Sequence, residues 1–223
     1  MTALATGTMV VSCQADPGNP LDSPAAMALM AQAAEAGGAG AIRANGPADI
    51  AAIRAVTSLP IIGLHKLGDP AGVFITPTYE AAAGVVAAGA DLVALDGTLR
   101  PRPDGQPLDW QIRRIHDELG VPVLADVDSL DAGLAARDAG ADLVATTLSG
   151  YTAGPTPTGP DVELVRRLAA RLDCPVVAEG RIRTTEDVRA VFDAGAYAVV
   201  VGHAITDPTD ITARLVSAIP ARW

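Results

Sequence analysis

Short apolar runs recur along the chain at regular intervals. Gly89–Ala90–Asp91–Leu92–Val93–Ala94 reappears as Gly140–Ala141–Asp142–Leu143–Val144–Ala145, with looser copies at Gly38–Ala39–Gly40–Ala41–Ile42 and Gly195–Ala196–Tyr197–Ala198–Val199. These runs begin at positions 38, 89, 140 and 195, intervals of 51, 51 and 55 residues. A second family lies between them: Leu59–Pro60–Ile61–Ile62–Gly63, Val121–Pro122–Val123–Leu124–Ala125 and Cys174–Pro175–Val176–Val177–Ala178. Short, almost uninterrupted apolar runs introduced by Gly or Pro are the pattern of parallel strands buried on both faces. With Val10–Val11–Ser12–Cys13 at the start they make eight predicted strands.

The intervening segments have helical composition. They are Pro24–Ala36, Pro47–Val56, Tyr79–Ala88, Leu108–Leu119, Leu130–Ala139, Asp161–Leu172, Thr185–Ala194 and Thr209–Ile219. Capping residues open several of them (Ser129; Thr184 ahead of Glu186), and glycines close others at Gly89, Gly120, Gly140 and Gly195. Eight strands alternating with eight helices predict a (β/α)8 TIM barrel, α/β in class, as a single domain over 1–223. A doubly wound open sheet is the structural alternative, disfavoured because the repeat runs evenly to the C-terminus.

Composition narrows the function. Hydrophobic residues make up 49% of the 223 positions, yet there are only two Phe and two Trp, so the packing relies on small side chains and close approach. A net charge of −10 argues against a nucleic-acid partner, which requires clustered cations. No 18-residue apolar stretch suggests a membrane span, and no secretory signal is visible, so a cytoplasmic location is expected. Cys13 and Cys174 lie in apolar runs and read as buried structural thiols. His65, His116 and His203 have no ligand spacing with either cysteine, so no metal site is expected. No dinucleotide or ATP loop is present, and no cofactor is expected.

In such a barrel the reactive face lies at the C-terminal ends of the strands. Read in order, those ends carry Gln14, Arg43, Lys66, Asp96, Asp126, Thr146–Thr147, Glu179 and Gly202–His203. Lys66 is the chain's single lysine beside 15 arginines. Arginine stays protonated in proteins, whereas a partly buried lysine can release its proton and act as a base or as a Schiff-base amine. The loops after the last two strands, Glu179–Gly180–Arg181–Ile182–Arg183 and Gly202–His203–Ala204–Ile205–Thr206, place glycines where backbone N–H groups can approach an anion. Barrels often bind phosphate at that corner, and Arg181 and Arg183 make it locally positive.

Several of these segments carry a specific likeness. Val11–Ser12–Cys13–Gln14–Ala15, Ile42–Arg43–Ala44–Asn45, Ile75–Thr76–Pro77–Thr78, Thr146–Thr147–Leu148–Ser149–Gly150–Tyr151–Thr152, Ala178–Glu179–Gly180–Arg181–Ile182 and Val201–Gly202–His203–Ala204–Ile205–Thr206 together resemble the N-acylmannosamine-6-phosphate 2-epimerase family. The resemblance runs from about Val10 to Ile219. It implies interconversion of N-acetylmannosamine 6-phosphate and N-acetylglucosamine 6-phosphate in sialic-acid breakdown, without a redox cofactor, by a possible homodimer. It places the catalytic lysine and glutamate on Lys66 and Glu179, and substrate contacts on Gln14, Arg43, Asp126 and Arg181. The phosphate would sit on Gly180, Gly202 and His203. Three positions depart from the family pattern. His203 replaces a glycine, Asp207 stands where an arginine is expected, and Leu67 follows Lys66 in place of a basic residue. The second of these implies a weaker hold on phosphate.

The chemistry suits the residues. Inverting carbon 2 of an N-acetylhexosamine requires ring opening, removal of the proton alpha to the aldehyde, and reprotonation from the other face. An amine base near neutrality can take that proton while nearby donors stabilise the oxyanion. At an unperturbed pKa of about 10.4, roughly one lysine in 2,500 is neutral at pH 7, so the pKa has to fall. Partial burial and Arg43 would lower it, and an ionised Glu179 would oppose them. Two other readings stay open on the residues alone: a Schiff-base aldolase acting through Lys66, and a non-catalytic sugar-phosphate-binding protein.

Overall fold

The structure, a computed structural model, describes residues 4–152 and 156–220; the ends of the expected 1–223 domain lie outside them. Eight strands form the barrel wall: β1 (Thr8–Cys13), β2 (Ala41–Asn45), β3 (Ile61–Leu64), β4 (Leu92–Asp96), β5 (Val123–Asp126), β6 (Leu143–Ala145), β7 (Val176–Glu179) and β8 (Ala198–Val201). All neighbouring pairs are parallel and sequential, and β8 pairs with β1 to close the ring. Closure is the finding that excludes the open sheet. Among the described residues, no helix is long and apolar enough to cross a membrane.

Around the ring run α1 (Pro24–Ala36), α2 (Pro47–Arg54), α3 (Tyr79–Ala87), α4 (Leu108–Arg114), α5 (Leu130–Asp138), α6 (Val162–Arg171), α7 (Thr185–Asp193), a short α8 (His203–Thr206) and α9 (Pro208–Val216). Ser23, Thr78, Ser129 and Thr184 cap α1, α3, α5 and α7, each side chain accepting a hydrogen bond from a first-turn N–H. Such a cap contributes about 1 kcal/mol. Two expectations shift. The helix expected over Leu108–Leu119 is α-helical only to Arg114. Its last turn, Ile115–Leu119, widens to a π-turn that ends where Gly120 adopts φ 68°. The last expected helix is preceded by the separate turn α8, with Asp207 between the two.

Strand parity positions the site. One buried cluster contains Val10, Ile62, Leu64, Leu92, Ala94, Leu124, Leu143, Ala145, Val177 and Val200, which fill the barrel interior. The alternate residues, among them Val11, Ile42, Ile61, Val93, Val123 and Val144, pack against the helices. Gly63 belongs to that outer set, and a Cβ there would come within 2.5 Å of Ala90 Cβ, so close strand–helix approach requires glycine. Because side chains alternate with period two, the next inward position after each interior residue points into the barrel mouth. Those positions are Ser12, Gln14, Arg43, Lys66, Asp96, Asp126, Thr147, Glu179 and Gly202. Of the two cysteines, Cys13 is fully buried. Cys174 is only half-buried because it precedes β7 rather than lying within it.

Candidate active site

At the mouth lies a cavity of about 400 Å³, walled by residues from β1, β2, β7 and β8 and from the loops after β3, β4, β6, β7 and β8. Its polar wall includes Gln14, Asp16, Arg43, Lys66, Thr147 and Glu179; Phe74, Ile75, Leu148 and Val200 form an apolar floor.

Arg43 is the hub. It is 1% exposed, and its guanidinium grips Asp126 with both ends, at 3.1 and 2.7 Å. A third contact, at 3.2 Å, reaches Glu179. Thr147 donates its hydroxyl to Asp126 Oδ1 at 2.5 Å and lies 3.1 Å from Glu179 Oε2. Burial alone would lower the Arg43 pKa, but the two carboxylates raise it above its ordinary value, so Arg43 is a permanent cation. Glu179 is pushed the other way from a typical salt-bridged acid. Burial raises its pKa and the Asp126 charge adds to this, against Arg43, Thr147 and Lys66. The Arg43 guanidinium, shared with Asp126, does not fully compensate Glu179.

Lys66 stands two residues beyond β3, on a hairpin in which it pairs with Ile75. Its backbone N–H donates to Asn45 Oδ1 at 2.9 Å. The residue is exposed at the cavity mouth, yet protein atoms crowd around its side chain. Burial is the main cause of a lowered lysine pKa, followed by Arg43; Asp16, Glu179 and Asp126 oppose them. The balance left open by the sequence therefore falls on the side of a deprotonatable amine. Amine and carboxyl are moved toward each other, as in a site that exchanges protons near neutrality.

At the base of this hairpin Thr76 is fully buried with φ 45°. A β-branched residue in that region is strained by about 1–3 kcal/mol and persists only where its surroundings over-determine it.

Around the rest of the mouth, Gly180 adopts φ 106° and Arg181, though not a glycine, φ 58°. The Arg181 guanidinium donates to Ser149 O at 2.8 Å and to Gly159 O at 2.9 Å, and it lies 5.1 Å from the Tyr151 ring centre. Arg100 is likewise spent on Asp96, Thr98 and Ala71 O. Lys66, Arg183 and His203 are the cavity-lining basic side chains without a side-chain hydrogen bond or ion pair among the described residues. Asp207, the departure expected to weaken the hold on phosphate, does not line the cavity. It caps α9, accepting from Thr209 N and Asp210 N, and Asn19 Nδ2 lies 3.4 Å away.

The structure brings Gln14, Arg43, Lys66, Glu179, Gly180, Arg181, Gly202 and His203 to one cavity. Asp126, expected as a substrate contact, is not brought there. It is 0% exposed and lies beneath the cavity wall, its oxygens occupied by Arg43 and Thr147. Asp96 is buried in the same way, beneath Arg100 and Thr98. Asp16, Arg100 and Asn45 were not singled out from the sequence as site residues. Inward parity after Ser12 and Gln14 could have flagged Asp16; nothing local distinguishes Arg100. Among the described residues no His, Cys, Asp and Glu group is arranged to hold a metal ion.

Comparison with known proteins agrees with this geometry. Residues 27–221 match the family model NanE, described as "Putative N-acetylmannosamine-6-phosphate epimerase". A protein of Cutibacterium acnes named "Putative N-acetylmannosamine-6-phosphate 2-epimerase" is 54% identical over 209 residues, covering 92% of this chain and 91% of that one. One of the same name from Caldanaerobacter subterraneus is 48% identical, covering 96% and 92%. The solved N-acetylmannosamine-6-phosphate 2-epimerase of Clostridium perfringens superposes with a TM-score of 0.92 at 40% identity, covering 96% of this chain and 94% of that one. A closed barrel with this mouth, matched along nearly its whole length, belongs to the NanE family of N-acetylmannosamine-6-phosphate epimerases.

Proposed function

We propose that this protein inverts carbon 2 of N-acetylmannosamine 6-phosphate, giving N-acetylglucosamine 6-phosphate. The observation that carries the reading is the pairing, at the mouth of one cavity, of an amine whose pKa is lowered with a carboxyl whose pKa is raised, both beside the permanent cation Arg43. In this reading Lys66 Nζ takes the carbon-2 proton of the ring-opened sugar, and the electron pair moves onto the aldehyde oxygen. Arg43 stabilises that oxyanion, the protonated Glu179 carboxyl delivers its proton to carbon 2 on the opposite face, and the Lys66 ammonium and the Glu179 carboxylate then exchange protons with solvent to restore the starting forms. Arg183 and His203, with the backbone at Gly180 and Gly202, would receive the phosphate. Asp126 holds Arg43 instead of touching substrate, and Arg181 fixes the loop after β6 through Nε and Nη1 while its buried Nη2, without a hydrogen-bond partner among the described residues, is left to meet substrate. A phosphorylated sugar and a chain of net charge −10 are compatible with a cytoplasmic protein. The homodimer implied by the family resemblance finds support in the exposed apolar residues Leu215, Val216 and Ile219, on and just after a helix with no buried residue; sedimentation velocity tests it.

The deciding experiment is incubation with N-acetylmannosamine 6-phosphate in heavy water, followed by NMR. The 2-epimer should form and carry deuterium at carbon 2, and borohydride added during turnover should trap no sugar on Lys66. A borohydride-stable adduct with cleavage of the carbon chain would make the protein a Schiff-base aldolase. Binding without turnover would leave a sugar-phosphate-binding protein.

A further inference from the structure

The lysine hairpin leaves the barrel rim between His65 and Thr76, and these two residues hold each other from both sides. Thr76 N–H donates to His65 O at 2.8 Å, and His65 N–H donates to Thr76 Oγ1 at 3.0 Å. The same hydroxyl donates to Ala94 O on β4 at 2.6 Å. The Thr76 carbonyl accepts from Gln111 Nε2 on α4 at 3.0 Å and from Arg102 at 3.3 Å. Both donors are buried, and Arg102 also reaches Asp96 O at 2.8 Å. Thus every hydrogen-bonding group of Thr76 is used, by four residues from separate parts of the barrel: His65 after β3, Ala94 on β4, Arg102 in the loop after β4 and Gln111 on α4. Its left-handed backbone is held in place by bonds that a relaxed conformation would break. Lys66 is the next residue outward from His65, so the direction set at Thr76 is the direction in which the amine enters the cavity.

We propose that Thr76 is a positioning residue for the reaction: its strained backbone and fully bonded hydroxyl fix the exit of the 65–76 hairpin and so hold the Lys66 amine against carbon 2. This rests on the reading of Lys66 as the base. The hydroxyl, not the bulk, is the operative part, because only oxygen both accepts from His65 and donates to Ala94. A displacement of about 1 Å in a reacting group can cost up to about a hundredfold in rate. A displaced amine would also stand nearer water, where it regains its proton more readily.

The test compares Thr76→Val, which keeps shape and loses the hydroxyl, with Thr76→Ser, which keeps the hydroxyl. For Thr76→Val, kcat should fall by at least about tenfold with KM within about twofold, and the acidic limb of kcat/KM should move to higher pH. Thr76→Ser should restore both kcat and the position of the limb. A kcat loss with an unmoved limb, or equal losses in both variants, would make Thr76 a merely structural residue and overturn the proposal. If Thr76→Val does not fold, Gln111→Met decides. A lowered kcat with a displaced limb supports the positioning role; wild-type values for both remove it. Lys66→Arg separates this proposal from the reading beneath it. An active arginine variant defeats the base assignment. An inactive one, beside a Thr76→Val enzyme with wild-type kcat and limb, defeats the positioning role alone.

Discussion

The inner and outer sides of the barrel mouth handle charge in opposite ways. On the inner side, where β2, β5 and β7 end, Arg43 and Asp126 are buried and Glu179 is largely covered, the three bonded through Arg43 and braced by Thr147. On the outer side, in the turns after β7 and β8, Arg183 and His203 are exposed, and their side chains have no partner among the described residues. Buried charges change the protonation behaviour of their neighbours, whereas unpaired basic groups at an open edge are free to meet an anion. In the proposed function bond-making falls to the inner side and substrate capture to the outer. Substitutions on the first side should therefore act on kcat and folding, and those on the second on KM.

The strongest break is Lys66→Arg, which keeps the charge and removes a usable base. Turnover should fall by about 10²–10⁴ with binding largely preserved, measured by single-turnover kinetics and by titration with substrate. Normal turnover would reduce Lys66 to an electrostatic contact. In the wild-type enzyme the pH profile carries a matching sign. The reacting form is the neutral amine, whose pKa is lowered, so activity should rise with pH through a limb lying below the ordinary lysine range.

Next in size is Arg43→Met. Removing the cation leaves Asp126 and Glu179 facing each other in a buried setting, and breaking such a pair costs about 3–5 kcal/mol. A loss of that size in unfolding free energy, read from denaturant titration, is expected. Little change would show that the buried network is hydrated and that Glu179 is not held as described.

On the capture side, Arg183→Ala should raise KM by about tenfold, the low end for a lost hydrogen bond to a charged group, with kcat nearly unchanged. The effect should shrink in high salt. Unphosphorylated N-acetylmannosamine should be insensitive to the substitution and a far poorer substrate. Equal activity on the two sugars would dismiss the phosphate assignment.

The smallest effect is expected for His203→Gly, a rise in KM of roughly a few-fold with kcat nearly unchanged, measured by steady-state kinetics on the phosphorylated sugar. An unchanged KM would leave His203 as a spacer.

Much of this was legible in the residues. The repeats around Gly89 and Gly140 placed the strands, and capping residues such as Ser129 and Thr184 placed helix starts to the residue, since caps and apolar periodicity are local properties. The rim residues were legible because strand parity aims them inward. What the sequence could not give was depth and partnership. Asp126 and Arg43 both point inward, yet one lies beneath the cavity wall and the other lines the cavity. Arg181 and Arg183 look alike in sequence, but only Arg181 has its guanidinium taken by Ser149 O and Gly159 O. Asp207 read only as a missing arginine, whereas α9 uses it as a cap.

Local chemistry in the chain thus determined the alternating elements, the class of fold and which side chains gather at the mouth. Hydrophobic period, capping and turn propensity act over a few residues and need no distant partner. Which donors are consumed, in which direction the Glu179 carboxyl is pushed and how the lysine is aimed were decided only by the closed barrel. Closure joins residues as far apart as Arg43, Asp126 and Glu179, and at these separations burial and Coulomb terms, not sequence proximity, set each group's charge.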